Sequence, residues 1–295
     1  MSDHASLPSP GWRVSSETGR LLDVLVCPPD HYRWMPLNSI VRRTLGEARQ
    51  QPSAHHLAAQ HAELCQALEQ GGARVHRLRP EPHLPYMVYT RDSVAVTHAG
   101  PVLCQLERPQ RRGEYAPLID FHAANGSGFW RKSSAGTLEG GDIHILRPGL
   151  AAIGASGGRT DEAGAEQLAV WLRAEGWEVR VELFDEHFLH LDVLFCMAAP
   201  GLAVACTEVL DPGFLGWLAG HNIRCLPVSY RDAMALGCNI LAMGNDTVVS
   251  ARGSTALNAA LRAEGLRVLD PELELFTLGG GGPHCLTCPL ARDSE

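Results

Sequence analysis

The stretch AGAEQLAVWLRAEGWEVRVEL, residues 163–183, contains the unit from which the fold can be predicted. Its first part repeats apolar residues at steps of three and four (Ala165, Leu168, Ala169, Leu172), which is typical of an amphipathic helix. Gly176 follows and can adopt the left-handed conformation in which helices commonly end. The alternating segment after it is typical of a β-strand. The stretch therefore predicts a helix, a glycine stop and a strand.

The same unit recurs along the chain. It is clear at residues 56–78, 211–228 and 254–270, and weaker at 116–131. The glycines that mark the five copies lie 44 to 56 residues apart and are Gly72, Gly128, Gly176, Gly220 and Gly265. Units of such similar length predict a closed, repeated α/β architecture, a single domain over residues 1–295 with a flexible N-terminal segment at 1–20. An ordinary α/β sheet with connections of equal length is the alternative.

Composition and charge exclude several classes of protein. The chain has a formal net charge of −8, and its basic residues form no cluster beyond the pairs at 42–43 and 111–112, which argues against nucleic acid as a partner. No run approaches the ~18 apolar residues of a membrane helix, and the N-terminus does not resemble a signal peptide. We therefore expect a soluble, cytoplasmic protein. Its nine scattered cysteines predict buried free thiols, not a disulfide framework.

Charged side chains interrupt the alternation beside several predicted strands. They are Arg91 and Asp92, Glu139 and Asp142 around a glycine pair, and His190 and Asp192. Each has a structural explanation when taken alone: a local salt bridge, a turn, or a core histidine. Together, the carboxylates at 92, 139 and 192, the histidine at 190 and a glycine-flanked cysteine predict a functional site at the strand ends.

The C-terminal run LGGGGPHCLTCPL, residues 278–290, is the sharpest chemical signal. Four consecutive glycines permit close approach of the backbone to a ligand. Cys285 and Cys288 could form a redox pair, but such pairs begin a helix after an early strand. A zinc half-site with His284 lacks a second ligand pair at the usual spacing, so we expect no metal and no cofactor. We favour a nucleophilic thiolate at Cys285, with His190 as its acid–base partner.

The acidic surroundings of Cys285 indicate a cationic substrate. Carboxylates near an ordinary thiol would raise its pKa and weaken it as a nucleophile. A guanidinium group reverses this argument, because its N–H groups match carboxylates and its charge favours the thiolate. The guanidinium carbon is also a poor electrophile that needs a strong nucleophile.

Seven motifs in order resemble the guanidino-group-modifying superfamily of arginine deiminases, dimethylarginine dimethylaminohydrolases and amidinotransferases. They extend from residue 89 to residue 287 and are YTRD (89–92), RPQRRGE (108–114), LEGGD (138–142), GGRTDEAG (157–164), HLD (190–192), GCNIL (237–241) and GGGGPHCLT (279–287). The resemblance implies an α/β fold of the pentein type, a five-bladed pseudo-symmetric propeller with a central active site.

The resemblance also implies roles for individual residues. Cys285 is similar to the nucleophile, His190 to the catalytic histidine and Glu139 to the acid that orients it. Asp92 and Asp192 resemble the carboxylates that hold the guanidinium nitrogens. Two arginines, Arg111 and Arg159, resemble those that hold a substrate carboxylate, with Arg112 as an alternative to the first of them.

The implied activity is hydrolysis of a guanidino C–N bond of arginine or an Nω-methylated arginine, giving citrulline and an amine or ammonia. Compact length favours a hydrolase of the dimethylarginine type over arginine deiminases and amidinotransferases, whose chains are longer. An arginine deiminase, or an amidinotransferase that acts on another guanidino compound, is the alternative. A non-catalytic propeller that binds the eukaryotic ribosome is an alternative from another class, but it predicts loss of the polar residues found here. A homo-oligomer is compatible with the sequence, which does not determine the oligomeric state.

Overall fold

The computed structural model describes residues 11–48 and 50–293. Its strands lie at β1 Leu21–Val26, β2 Arg74–Arg77, β3 Val94–Thr97, β4 Gly100–Leu103, β5 Arg131–Lys132, β6 Ile143–Arg147, β7 Leu150–Ala155, β8 Glu178–Leu183, β9 Phe195–Ala199, β10 Leu202–Ala205, β11 Arg224–Pro227, β12 Leu241–Gly244, β13 Thr247–Val249, β14 Arg267–Leu269 and β15 Cys288–Arg292. Its helices lie at α1 Ser39–Glu47, α2 Ala54–Gln70, α3 Tyr115–Ala124, α4 Glu162–Ala174, α5 Pro212–Gly220, α6 Tyr230–Ala233, α7 Thr255–Ala263 and α8 Glu274–Thr277.

The strands form five three-stranded sheets, ordered β15-β1-β2, β3-β4-β5, β6-β7-β8, β9-β10-β11 and β12-β13-β14. In each sheet the first two strands are antiparallel, and the third is parallel to the middle one. A parallel neighbour requires a crossover, and α2, α3, α4, α5 and α7 supply it in the five sheets. The five repeated units predicted from the sequence are therefore confirmed.

The last strand of the chain closes the first sheet. β15 pairs antiparallel with β1, with Leu25 opposite Cys288. The nucleophile loop, residues 279–287 with the predicted nucleophile Cys285, is therefore joined directly to the first strand of the fold. The first strand in each sheet order (β15, β3, β6, β9 and β12) occupies the equivalent edge, and almost every side chain on these five strands is buried. The loops that precede these five strands therefore occupy equivalent places in the repeat.

The glycine predicted to end the helix is left-handed in three units, and a neighbouring residue takes that conformation in the other two. Gly72, Gly176 and Gly265 have φ values of 92°, 84° and 89°, in the left-handed region. After α3, however, it is Gly126 and not Gly128 that is left-handed, because that helix ends two residues earlier. Gly220 is the last residue of α5, and Asn222 takes the left-handed position with a φ of 60°. Asparagine is one of the few other residues that visit this conformation routinely.

The N-terminal segment differs from the prediction. Residues 1–10 lie outside the described part of the chain. From residue 11 onward the segment packs against the fold, since Trp12 and Val14 are buried beside Leu25 and Leu290. The Trp12 ring also stacks on Phe121 with centroids 5.4 Å apart. The predicted flexibility of 1–20 is therefore wrong for residues 11–20, because two large apolar side chains anchor them.

The cysteines and the helices agree with two predictions from the sequence, buried free thiols and no membrane-spanning run. All nine cysteines are free thiols, and Cys225 is the only one that is not fully buried. Within residues 11–48 and 50–293, no helix has both the length and the hydropathy required to cross a membrane.

Candidate active site

Five of the predicted site residues lie just before the equivalent edge strands. Asp92 precedes β3 and Glu139 precedes β6; His190 and Asp192 precede β9, and Cys285 precedes β15. Because these loops are equivalent in the repeat, four segments distant in sequence bring their polar side chains to one region. Arg111 and Arg159 also reach it, since both line a small cavity together with Asp92, His190 and Cys285.

The Cys285 thiol lies between an acid and an amide. Its Sγ is 3.2 Å from Asp192 Oδ2 and accepts a hydrogen bond from Asn239 Nδ2 at 3.0 Å. The side chain is buried, and burial raises the pKa of the thiol well above its usual value, with Asp192 and Asp92 adding to the effect. The resting site therefore holds a protonated thiol next to carboxylates, and a cation that neutralises them would favour the thiolate.

Asn239 organises the nucleophile loop, a role that sequence reasoning did not assign to it. Its Oδ1 accepts hydrogen bonds from the backbone N–H groups of Gly282, His284 and Cys285 at 3.1–3.2 Å. Its Nδ2 donates to the Asp192 carbonyl as well as to the thiol. The residue lies in the GCNIL motif directly before β12, which is the place that the other site residues occupy in their own units. Its position before a predicted edge strand was the signal by which Asn239 could have been found in the sequence.

We expect Asn239→Ala to lower the free energy of unfolding by about 1–3 kcal/mol, because it leaves buried N–H groups without an acceptor. Asn239→Asp keeps an acceptor for these groups but replaces the donor to Sγ by a carboxylate. It should therefore retain most of the stability and lose kcat/KM by on the order of 10²-fold. Chemical denaturation and steady-state kinetics check the pair. Equal stability and equal kcat/KM in all three proteins would contradict this role.

His190 is held by a second group of charges. Its Nε2 lies 2.8 Å from Glu139 Oε2, and the same carboxylate oxygen accepts from Arg159 Nη1 at 3.1 Å. Burial acts to lower the pKa of the imidazole, but Asp92, Asp142 and Glu139 together raise it to about 9. Burial likewise opposes ionisation of Glu139, yet Arg159 and His190 depress its pKa well below the usual range. An imidazolium oriented by a carboxylate is therefore the state at neutral pH.

The glycine pair in LEGGD leaves the space in which His190 contacts Glu139. A Cβ on Gly141 would lie 2.8 Å from the His190 ring, and one on Gly140 would lie 2.0 Å from the Arg91 carbonyl oxygen. Side chains at these two positions would therefore displace the histidine or the backbone of Arg91. Asp142, the other acid of the motif, accepts a hydrogen bond from the Leu191 backbone at 2.8 Å and so fixes the loop that carries His190.

Arg111 lies in the site, but its nitrogens are already bonded within the protein. Nε and Nη2 donate to the two oxygens of Glu114 at 2.8 Å, and Nη1 donates to Asp92 Oδ2 at 2.5 Å. This fork is buried and lies 5.9 Å from the Tyr86 ring centroid. Arg111 thus fixes Asp92 in this structure. Arg112 has its Nε and Nη2 on the backbone oxygens of Leu106 and Glu107.

Three buried polar atoms of the site have no hydrogen-bond partner among the described residues: Asp92 Oδ1, His190 Nδ1 and Asp192 Oδ1. The first two belong to residues that line the cavity, which has a volume of about 10 Å³. Leu189, on its wall, has a φ of 70° and a ψ of −73°, a conformation that side-chain-bearing residues rarely adopt. Leu189, Asn38 and Arg159 also line an adjacent, larger surface cavity of about 410 Å³. The buried site thus adjoins an outer vestibule across these three residues.

The sequence model of the arginine deiminase family matches residues 81–219 and 217–292, which include every residue of this site. The chain belongs to the arginine deiminase family. An arginine deiminase from Rhodococcus erythropolis is 31% identical over 252 residues, covering 71% of this chain and 61% of that protein. The uncharacterized protein YkgA of Bacillus subtilis is 30% identical over 279 residues, covering 94% of each chain.

A further relative is a longer protein, and solved structures share the fold. The bifunctional arginine dihydrolase/ornithine cyclodeaminase AgrE of Nostoc is 27% identical, and the match covers 89% of this chain but only 37% of AgrE. Among solved structures, the substrate-bound N-terminal domain of the cyanobacterial arginine dihydrolase ArgZ superposes with a TM-score of 0.80 at 23% identity, covering 92% of this chain and 98% of that one. A dimethylarginine dimethylaminohydrolase superposes with a TM-score of 0.72 at 18% identity, covering 91% and 99%. These similarities confirm the predicted propeller fold.

Proposed function

We propose that this protein is a cysteine-dependent hydrolase that cleaves a guanidino C–N bond of arginine, releasing ammonia and a ureido product, citrulline. The observation that carries the proposal is the arrangement around one cavity: the thiol of Cys285, the imidazolium of His190 and the carboxylate of Asp92. A thiol surrounded by carboxylates is a poor nucleophile unless the ligand beside it is a cation. The site therefore fits a guanidinium better than a neutral amide or ester.

The reaction follows from the charges of these groups. The guanidinium of the substrate would bind at the unpartnered oxygens of Asp92 and Asp192, and its charge would favour release of the thiol proton to solvent as the substrate enters. Cys285 Sγ then adds to the guanidinium carbon, and His190 gives its proton to the departing nitrogen as ammonia leaves. The product of this half is an S-alkylthiouronium on Cys285. Water, deprotonated by the now neutral His190, attacks the same carbon and releases the ureido product and the thiolate.

Two features favour unsubstituted arginine over the dimethylarginine that the compact length suggested. Unpartnered carboxylate oxygens at Asp92 and Asp192 require N–H donors, and a dimethylated nitrogen has none to give. The cavity is also small, with a volume of about 10 Å³, so its wall has to open for either ligand, and two extra methyl groups would require a larger opening. The relatives named as arginine deiminase and arginine dihydrolase support the same choice.

The substrate carboxylate is proposed to bind at Arg159 and Arg111. Arg159 supports this role best, because it lines both the buried cavity and the outer vestibule, although its Nη1 and Nη2 already donate to Glu139 and to the Leu37 carbonyl oxygen. Arg111 would have to exchange its contact with Asp92 to bind the ligand, since its nitrogens are engaged. Arg111 would then release Asp92 Oδ2 for the guanidinium at the same time.

A substrate panel tests the proposal. The purified protein is incubated with arginine, monomethylarginine, asymmetric dimethylarginine and agmatine, and ammonia, methylamines and ureido products are measured. We expect arginine to have the highest kcat/KM, with dimethylarginine at least tenfold lower because of its missing donors and larger volume. Agmatine, which lacks the carboxylate, should show a raised KM. Faster hydrolysis of dimethylarginine than of arginine would overturn the choice of substrate. If none of the four compounds released ammonia or a methylamine, the proposed activity would be overturned.

A further inference from the structure

A second polar cluster lies beside the nucleophile loop and has no part in the proposed reaction. It consists of Glu17 from the segment before β1, His144 on β6 and His284, which directly precedes Cys285. One oxygen of Glu17 and one nitrogen of each imidazole lie within 4.8 Å of one another. All three residues are buried, and the two imidazole rings stack with centroids 5.4 Å apart.

The two histidines present unused nitrogen atoms. His284 Nδ1 is hydrogen-bonded to Asp192 Oδ2 at 2.8 Å, and His144 Nδ1 lies 3.3 Å from Glu17 Oε2. The Nε2 atoms of both rings are buried and have no hydrogen-bond partner in the described part of the chain. The rings are 0% and 3% exposed, so bulk water does not compensate them. Buried polar atoms without partners are rare in folded proteins and call for a physical explanation.

The donor set is that of a metal site. Two imidazoles and a carboxylate are ligands that Zn²⁺ and related divalent transition metals accept. The Asp192–His284 pair adds the outer carboxylate that commonly holds a metal-binding histidine by its other nitrogen.

We propose that Glu17, His144 and His284 bind one divalent transition-metal ion of the zinc class. The site joins the N-terminal segment, the third sheet and the nucleophile loop, and the Glu17 backbone N–H is already fixed on the Ile145 carbonyl at 2.7 Å. A bound ion would therefore connect parts of the propeller that are distant in sequence, and would fix the His284 tautomer that faces Asp192. The inference does not depend on the substrate of the enzyme. Ligands at positions 17, 144 and 284 form no sequence motif.

Metal binding by the full chain tests the proposal. Protein freed of metal with a chelator is titrated with Zn²⁺ by calorimetry and with Co²⁺ by visible absorption. We expect one equivalent to bind, with Co²⁺ bands typical of nitrogen and oxygen ligands and without a thiolate charge-transfer band. His144→Gln should weaken binding at least tenfold. The matched control His61→Gln alters another buried histidine whose Nε2 lacks a partner among the described residues, and it should leave the affinity unchanged.

The outcomes separate this site from the catalytic one. Absence of binding to the folded protein at millimolar Zn²⁺, or an affinity that His144→Gln leaves intact, would overturn the proposal. So would a thiolate band that disappears in Cys285→Ser, because the ion would then lie on the nucleophile. If His144→Gln does not fold, Glu17→Gln replaces it, and the same loss of at least tenfold in affinity is expected.

Discussion

Replacing Cys285 by serine lowers kcat for arginine by on the order of 10⁴-fold or more, the largest effect that we expect of any single substitution. A serine hydroxyl is a much weaker nucleophile than a thiolate, and nothing in the site is placed to remove its proton before the guanidinium arrives. Asp192, 3.2 Å from Sγ, is itself held by His284 and has a pKa lowered to about 2 despite burial, so it is a weak base. Ammonia release and citrulline formation measure the effect.

The matched control for this substitution is Cys288→Ser. Cys288 is also buried, lies three residues further along the same segment and has its Sγ 3.4 Å from the Val94 carbonyl oxygen, away from the cavity lining. It should retain kcat within a few-fold, although some stability is lost. Activity of Cys285→Ser within tenfold of the wild type, in a protein with an unchanged circular dichroism spectrum, would contradict the assignment of the nucleophile.

His190→Gln has the second largest expected effect, a loss of about 10²- to 10⁴-fold in kcat, which is the usual contribution of a general acid–base group. Because Asp92, Asp142 and Glu139 overcome burial and raise the pKa of this imidazole to about 9, His190 carries its proton at neutral pH and can give it to the leaving nitrogen. The wild-type rate should therefore fall as the pH rises through about 9. The variant should lack this alkaline limb.

The same pKa shift has a consequence for stability. A histidine whose folded-state pKa is raised stabilises the native state fully below its unfolded value of about 6.5, and this contribution is lost as the pH rises through about 9. The free energy of unfolding of the wild type should thus decrease over this range relative to that of His190→Gln. His98→Gln, in the turn between β3 and β4, serves as the control. A pH–rate profile of His190→Gln with the wild-type alkaline limb would contradict the assigned role.

The repeat could be predicted from the sequence because it depends on features that lie close together along the chain. Amphipathic periodicity and a residue that tolerates positive φ recur in every unit, so helix, stop and strand could be placed. The stops at Gly128 and Gly220 were misplaced because Gly126 and Asn222 serve the same purpose, and composition does not choose between neighbours. The packing of Trp12 was not predictable, since its partners come from distant segments such as Phe121.

The candidate site residues could be proposed from the sequence because each lies in a short motif, but their partners were less visible. Asn239 occupies the equivalent place in the fifth unit, directly before β12, yet an amide carries no charge to draw attention to it. The engagement of Arg111 with Glu114 and Asp92 depends on side-chain geometry that the spacing of RPQRRGE does not give. The cluster of Glu17, His144 and His284 arises only from the tertiary fold.

A single-turnover experiment tests the central claim most directly. Enzyme in excess is mixed with arginine labelled at the guanidino carbon, the reaction is quenched in acid at successive times, and peptides are mapped by mass spectrometry. The mechanism predicts label on the peptide that contains Cys285, at up to one equivalent, rising and then falling as labelled citrulline appears. Label on another residue, or citrulline formed while the protein stays unlabelled at every quench time, would contradict attack by Cys285 on the guanidinium carbon.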